Sequence, residues 1–145
     1  MKLSPQKVYK IAFIGNVNCM TFQYAMILKK EGHDITVLID SGRDQELHRP
    51  EYRYSEIKYP YPLWIQEIEV PARNLSFILP IGKLSKLLKS LNTGDFDAVI
   101  LNGVWHKIGS RISNPKTSVI CFFSGSDLDT SASYKQSISP LSLFS

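Results

Sequence analysis

The apolar positions of the chain fall into short runs separated by turn residues. Val8 to Ile14 is nearly continuous in β-branched and aromatic side chains, the pattern of a strand buried on both faces, and Gly15 ends it. Met20 to Glu31 contains neither Gly nor Pro. It closes on Lys29 and Lys30 and is followed by Gly32, which predicts a helix with its C-terminal stop in place. Ile35 to Ile39 (ITVLI) predicts a second strand. Strand, helix and strand within about 35 residues match one right-handed βαβ crossover, hence a parallel sheet.

The second half repeats the theme. Ile81 to Leu91 predicts an amphipathic helix, Ala98 to Leu101 a buried strand, Val104 to Ile112 a short helix and Ser118 to Phe123 (SVICFF) a further strand. Between Ser41 and Leu79 the periodicity weakens into a Pro- and Tyr-rich segment. Pro50, Pro60, Pro62 and Pro71 forbid a long helix there, while Trp64 to Val70 has room for a strand. The class predicted is α/β: a Rossmann-like, doubly wound parallel sheet in three αβα layers. In such sheets a long connection leaving a strand's C-terminal end is where ligand-binding loops sit.

Composition narrows this picture without redirecting it. At 145 residues, 43% hydrophobic and 21% charged, the chain predicts one globular domain over residues 1–145. Seventeen Lys and Arg against thirteen Asp and Glu give a net charge of +4, a mild bias toward anionic partners. The cations are scattered, so no nucleic-acid partner is predicted. Cys19 and Cys121 lie far apart with no export signal, which predicts two packed, reduced thiols in the cytoplasm. No window reaches the roughly 18 apolar residues of a membrane span, so the chain is read as free or peripheral to the inner membrane face.

Candidate chemistry gathers at strand ends. The first turn reads IGNVNCMTF, placing Gly15, Asn16 and Asn18 at the mouth of the sheet. A dinucleotide fingerprint, G-x-G-x-x-G, keeps only its first glycine here and has Asn18 near where the second belongs, so nicotinamide or flavin binding is not predicted. Gly15 is read either as a tight-turn residue or as a polar ligand contact. After the last strand comes SGSDLD. Ser126 and Asp129 have the spacing of a capping box, while Ser124, Gly125 and Asp127 also suit a sugar hydroxyl or phosphate. His33, His48 and His106 are isolated, so no metal site is predicted, and no G-x-S-x-G or triad spacing points to a hydrolase.

Two stripes and one cluster stand out. Leu84, Leu87, Leu88 and Leu91 oppose Lys83, Lys86 and Lys89 on one helix, read as a sheet-packed helix with a solvated lysine face over a membrane-surface patch. On the first helix Met20, Tyr24, Ile27 and Leu28 share a face while Phe22 and Met26 point elsewhere. Tyr52, Tyr54, Tyr59, Tyr61 and Trp64 crowd the long connection. They are read as closing a core, with sugar stacking as the alternative.

The run KIAFIGNVNCMTFQYAMILKKEGHDITVLID, with FDAVILNG and VICFFSGSDLD, resembles the N-terminal half of GT-B fold glycosyltransferases, the sugar transferases that build surface polysaccharides and glycolipids. The family's G-H-x-[VI]-x-[VL] segment is matched by Gly32, His33, Ile35 and Val37. Its later H-G-S-D motif is matched by Gly125, Ser126 and Asp127, with Ser124 in place of the histidine. The resemblance implies an acceptor-binding domain facing, across a cleft, a C-terminal domain or partner subunit that binds the nucleotide-sugar donor. It implies substrate contacts at Gly15, Asn16, Asn18, Gly103, Ser124, Gly125, Ser126 and Asp127, with no assigned catalytic residue. It also implies a glycan or lipid-linked acceptor, no cofactor held by this domain alone, and negligible transfer by this chain in isolation, as a fragment or split-enzyme subunit. The alternative reading is a non-catalytic carbohydrate- or protein-binding module. A receiver or flavodoxin-like domain fits poorly, because the first strand ends in Gly-Asn.

Overall fold

The computed structural model describes residues 7–41, 48–69 and 82–123. Five parallel strands are laid out in the order β3-β2-β1-β4-β5: β1 Lys10–Ile14, β2 Asp34–Asp40, β3 Ile65–Ile68, β4 Ala98–Asn102 and β5 Ser118–Phe122. The chain builds outward from β1 through β2 to β3, then crosses back to β4 and β5 on the other side. The crevice beyond the carboxyl ends of β1 and β4 is therefore a topological switch point. The sheet is held in register by pairs such as Phe13 with Val37 and Phe13 with Ile100. Strand after strand of β-branched residues explains why this sheet forms: both of its central faces are buried, so period-two polarity is absent.

Helix α1, Met20–Lys30, covers one face of the sheet. Phe22 and Ala25 are wholly buried against Phe13, Ile35, Val37 and Ile39, and Tyr54 and Trp64 close the rim. Of the stripe the sequence singles out, Met20, Tyr24 and Ile27 are exposed and Leu28 alone packs on the core, which Thr21, Phe22 and Ala25 face. Burial of the Phe22 ring, stacked at 5.6 Å on Trp64, sets this rotation, because one fully buried aromatic outweighs several half-covered side chains. Gly32 ends the helix at φ +92, with its N–H on the Lys29 carbonyl and the His33 N–H on that of Leu28. These two bonds are a Schellman stop.

Helix α2, Lys83–Thr93, covers the other face, burying Leu84, Leu88 and Leu91 against Ala12, Ile14, Val99 and Leu101. Lys83, Lys86 and Lys89 are exposed, as a sheet-packed amphipathic helix requires. The helix expected over Val104 to Ile112 is a 3-10 segment, Gly103–Arg111, that buries Trp105 and Ile108 on the same face. Two helical layers flank the sheet, so the three-layer Rossmann-like expectation holds.

One sequence expectation, a packed Cys121, is corrected at β5. Among the described residues it is an edge strand with Ile120 48% exposed, and Cys121 is exposed rather than packed. Of the five loop aromatics, Tyr54, Tyr61 and Trp64 pack on the core whereas Tyr52 and Tyr59 remain exposed. Among the described residues no helix is long and apolar enough to cross a membrane.

Candidate functional site

The turn after β1 lies at the switch point, and its backbone is unusual. Gly15 has φ +84, and Asn18 and Cys19 are consecutive left-handed residues at φ 54 and 56. Such a path points successive amides away from a helical ladder, and side chains from three separate segments receive them. The Val17 N–H donates to Asn102 Oδ1 at 2.7 Å, and the Asn18 N–H to His48 Nδ1 at 2.9 Å. The Phe22 N–H, third in α1, donates to Asn16 Oδ1 at 3.2 Å, so Asn16 caps the helix from outside it. Asn16 itself is 3% exposed and donates through Nδ2 to the His48 carbonyl at 2.9 Å. His48 Nδ1, which meets the Asn18 N–H, also lies 3.3 Å from the Asn16 carbonyl oxygen.

Asn102 ties the mouth together. It is fully buried at the end of β4, accepts from Val17 and donates through Nδ2 to the Phe122 carbonyl at 3.0 Å, linking the ends of β1, β4 and β5. Gly103 follows at φ +62 with Val17 against it, and its carbonyl receives His106 Nδ1 at 2.7 Å. Trp105 lies across the mouth: its indole N–H donates to Asp40 Oδ1, at the end of β2, at 2.6 Å, and its Cδ1 abuts Gly15.

The structure thus brings Gly15, Asn16, Asn18 and Gly103 to one place, whereas Ser124, Gly125, Ser126 and Asp127 lie outside the described residues. The sequence reading missed Asn102, His48, Trp105 and Asp40. Asn102 carried a signal, the Asn-Gly pair ending a predicted strand. His48 carried none, because its role depends on the long connection folding back on the first turn.

That connection is anchored by charge. Arg49 donates from Nε to Glu51 Oε1 at 2.8 Å and from a terminal nitrogen to Glu67 on β3 at 3.2 Å, and Tyr61 Oη donates to Glu51 Oε2 at 2.6 Å. Burial pushes the Glu51 carboxyl up. The bonds from Tyr61 and Arg49 outweigh it and hold the carboxyl below its ordinary value. A depressed carboxylate stabilises the fold above its unfolded value and loses that contribution as pH falls through the folded one. Removing the Tyr61 hydroxyl should therefore cost about 1 kcal/mol at neutral pH, and Tyr61→Phe should lose less stability than the parent on acidification. Urea midpoints across the acid range check both, and parallel acid profiles would contradict this account.

Neither thiol among the described residues is activated. Burial pushes the Cys19 thiol up against a smaller opposing pull from Asn16, and burial likewise raises Cys121. Among the described residues no cluster of three His, Cys, Asp or Glu could hold a metal ion.

A separate cleft of about 420 Å³ opens beside the mouth, past the carboxyl ends of β2 and β3. Ser41, Glu67, Glu69 and Lys83 line it with polar groups. Ile68, Leu84, Leu87 and Trp105 supply its apolar wall. Trp105 is therefore common to the cleft and the mouth.

Sheet order and crevice define the class of this molecule as a Rossmann-like α/β domain. Comparison with known protein families, with curated proteins and with solved structures finds no match to the chain.

Proposed function

We propose that this chain is the acceptor-side domain of a glycosyltransferase that moves a sugar from a nucleotide-sugar donor to a glycan or lipid-linked acceptor. One observation carries the reading: the β1 turn and the start of α1 sit at the switch point, yet their amides at Val17, Asn18 and Phe22 are already taken by Asn102, His48 and Asn16. A diphosphate needs such amides unengaged. A wall of this kind suits a neutral acceptor, with the donor's diphosphate held by groups from a second domain. Catalysis across the cleft would then be positioning and stabilisation of the departing diphosphate, with no triad required.

The purified chain is expected to show no sugar transfer and no nucleotide-sugar binding by calorimetry. Deleting its gene in the source cell is expected to shorten or remove one class of surface glycan or glycolipid. Nucleotide-sugar binding by the chain alone, with shifts at Gly15, Val17 and Asn18, would overturn the assignment of sides.

The second reading, a non-catalytic carbohydrate- or protein-binding module, is favoured by one feature. Met20, Tyr24 and Ile27 on α1 and Ile120 on β5 are exposed, with Tyr24 edge-on to Phe122 at 5.9 Å. An unchanged glycan profile after gene deletion would move the assignment to this class.

A further inference from the structure

We infer that the outer face formed by α2 and the 3-10 segment Gly103–Arg111 is a docking surface for an anionic lipid bilayer, with Lys83, Lys86, Lys89, Lys107 and Arg111 as its cations. The inference goes beyond the transferase reading and does not rest on it. Cations are scattered along the whole chain, but carboxylates are not. No Asp or Glu occurs from Gly82 to Gly94, nor from Ala98 to Phe123. Over residues 82–123 six cations stand against Asp95 and Asp97 alone. That stretch therefore carries +4, the whole net charge of the chain, and the remaining residues balance.

The fold turns this imbalance into one face. Leu84, Leu88 and Leu91 of α2 share a buried cluster with Trp105 and Ile108, and Asn92 donates to the Arg111 carbonyl at 3.0 Å, so the two elements lie together over one side of the sheet. With its leucines turned inward, α2 presents Lys83, Lys86 and Lys89 to solvent, and Lys107 is exposed on the neighbouring segment. Among the described residues Lys86 and Lys89 form no ion pair, so no carboxylate cancels their charge locally. Asp97 turns to β1, where it accepts the Lys10 N–H at 2.8 Å. Lys83 bonds Glu69, just past β3, which sets the start of α2 at the carboxyl end of that strand. A surface engaging the lysines therefore runs alongside the crevice.

Charge selects a polyanion, and the surroundings select among polyanions. None of the exposed large hydrophobic side chains belongs to α2 or to the 3-10 segment, so the face binds by charge, without inserting. The same two elements carry no exposed Phe, Tyr or Trp to stack a nucleic-acid base. Five of the six cations are lysines, point charges rather than the planar forks that grip a phosphate held in fixed geometry. A bilayer asks less of geometry. Its mobile anionic headgroups gather under lysines spread over a broad face, each cation near the surface strengthening binding about fivefold.

The test is co-sedimentation of the full chain with vesicles of phosphatidylcholine alone and of phosphatidylcholine mixed with phosphatidylglycerol. Binding is expected only with the anionic lipid, and is expected to vanish at about 1 M sodium chloride, where the screening length falls to about 3 Å. The double variant Lys86→Gln, Lys89→Gln is expected to bind about twentyfold more weakly. Lys30→Gln with Lys58→Gln removes the same charge from exposed lysines outside this face and is expected to change binding less than about threefold. Glutamine suits a helix as well as lysine does, and the urea midpoint of each variant reports that the fold is kept. A duplex and a single-stranded oligonucleotide serve as competing polyanions. No binding to anionic vesicles, equal binding to neutral ones, equal losses in the two double variants, or half-saturation by either oligonucleotide at a lower phosphate concentration than the vesicles require would each overturn the inference. No sugar nucleotide or glycan enters the assay, so it and the transferase reading can fail separately.

Discussion

Asn102→Ala is expected to destabilise the domain by roughly 3–4 kcal/mol, a large share of the total stability of a domain this size. The amide is fully buried and makes two bonds of opposite polarity, one to the Val17 N–H and one to the Phe122 carbonyl. Alanine strips both partners at once and leaves a small void beside β4. Asn102→Asp separates the two bonds. Its carboxylate still accepts from Val17 but cannot donate to Phe122, and it places an unpaired charge in the core. Burial raises such a carboxyl in the folded state, so the deficit of Asn102→Asp should shrink as pH falls and the protonated group regains a donor. Urea midpoints at neutral and acid pH measure this. An Asp variant as stable as the parent at neutral pH would mean that Asn102 does not bridge the strand ends as described.

Strands and helices were legible in the sequence because each is a local pattern of apolar residues. The β1 run, the Lys29-Lys30-Gly32 stop and ITVLI map onto β1, α1 and β2 within about two residues. Which face of α1 turns inward was not legible. Met20, Tyr24, Ile27 and Leu28 form a coherent stripe on a helical wheel, but the choice depends on Trp64 and Tyr54 arriving from the long connection to hold Phe22. The site divides along the same line. Gly15, Asn16 and Asn18 are legible because strand-end turn residues mark the mouth of a parallel sheet, and Gly103 enters only through the resemblance. Their engagement by His48 and Asn102 was hidden, since those contacts span 30 and 85 residues. The cleft was hidden for the same reason: Ser41, Glu69, Lys83 and Trp105 share no motif and meet only when β2, β3 and α2 are assembled.

Among the described glycines, Gly15→Ala is expected to be the most damaging substitution, about 3 kcal/mol or more, and Gly32→Ala is its control at about 1 kcal/mol. Both glycines have positive φ, +84 and +92, so both substitutions carry the strain of a left-handed L-residue. They differ in surroundings. A Cβ at Gly32 meets nothing within 4 Å, whereas one at Gly15 collides with the Asn102 carbonyl oxygen and comes within 2.7 Å of Trp105 Cδ1. The carbonyl belongs to the end of β4 and cannot yield without releasing Asn102 from Val17 and Phe122. The indole cannot yield without stretching its 2.6 Å bond to Asp40. The excess of Gly15→Ala over Gly32→Ala in urea unfolding therefore measures how tightly the mouth is packed. Equal losses would show that Trp105 and Asn102 do not close over the β1 turn. Whatever fraction of Gly15→Ala folds should also show a displaced Trp105 indole N–H resonance.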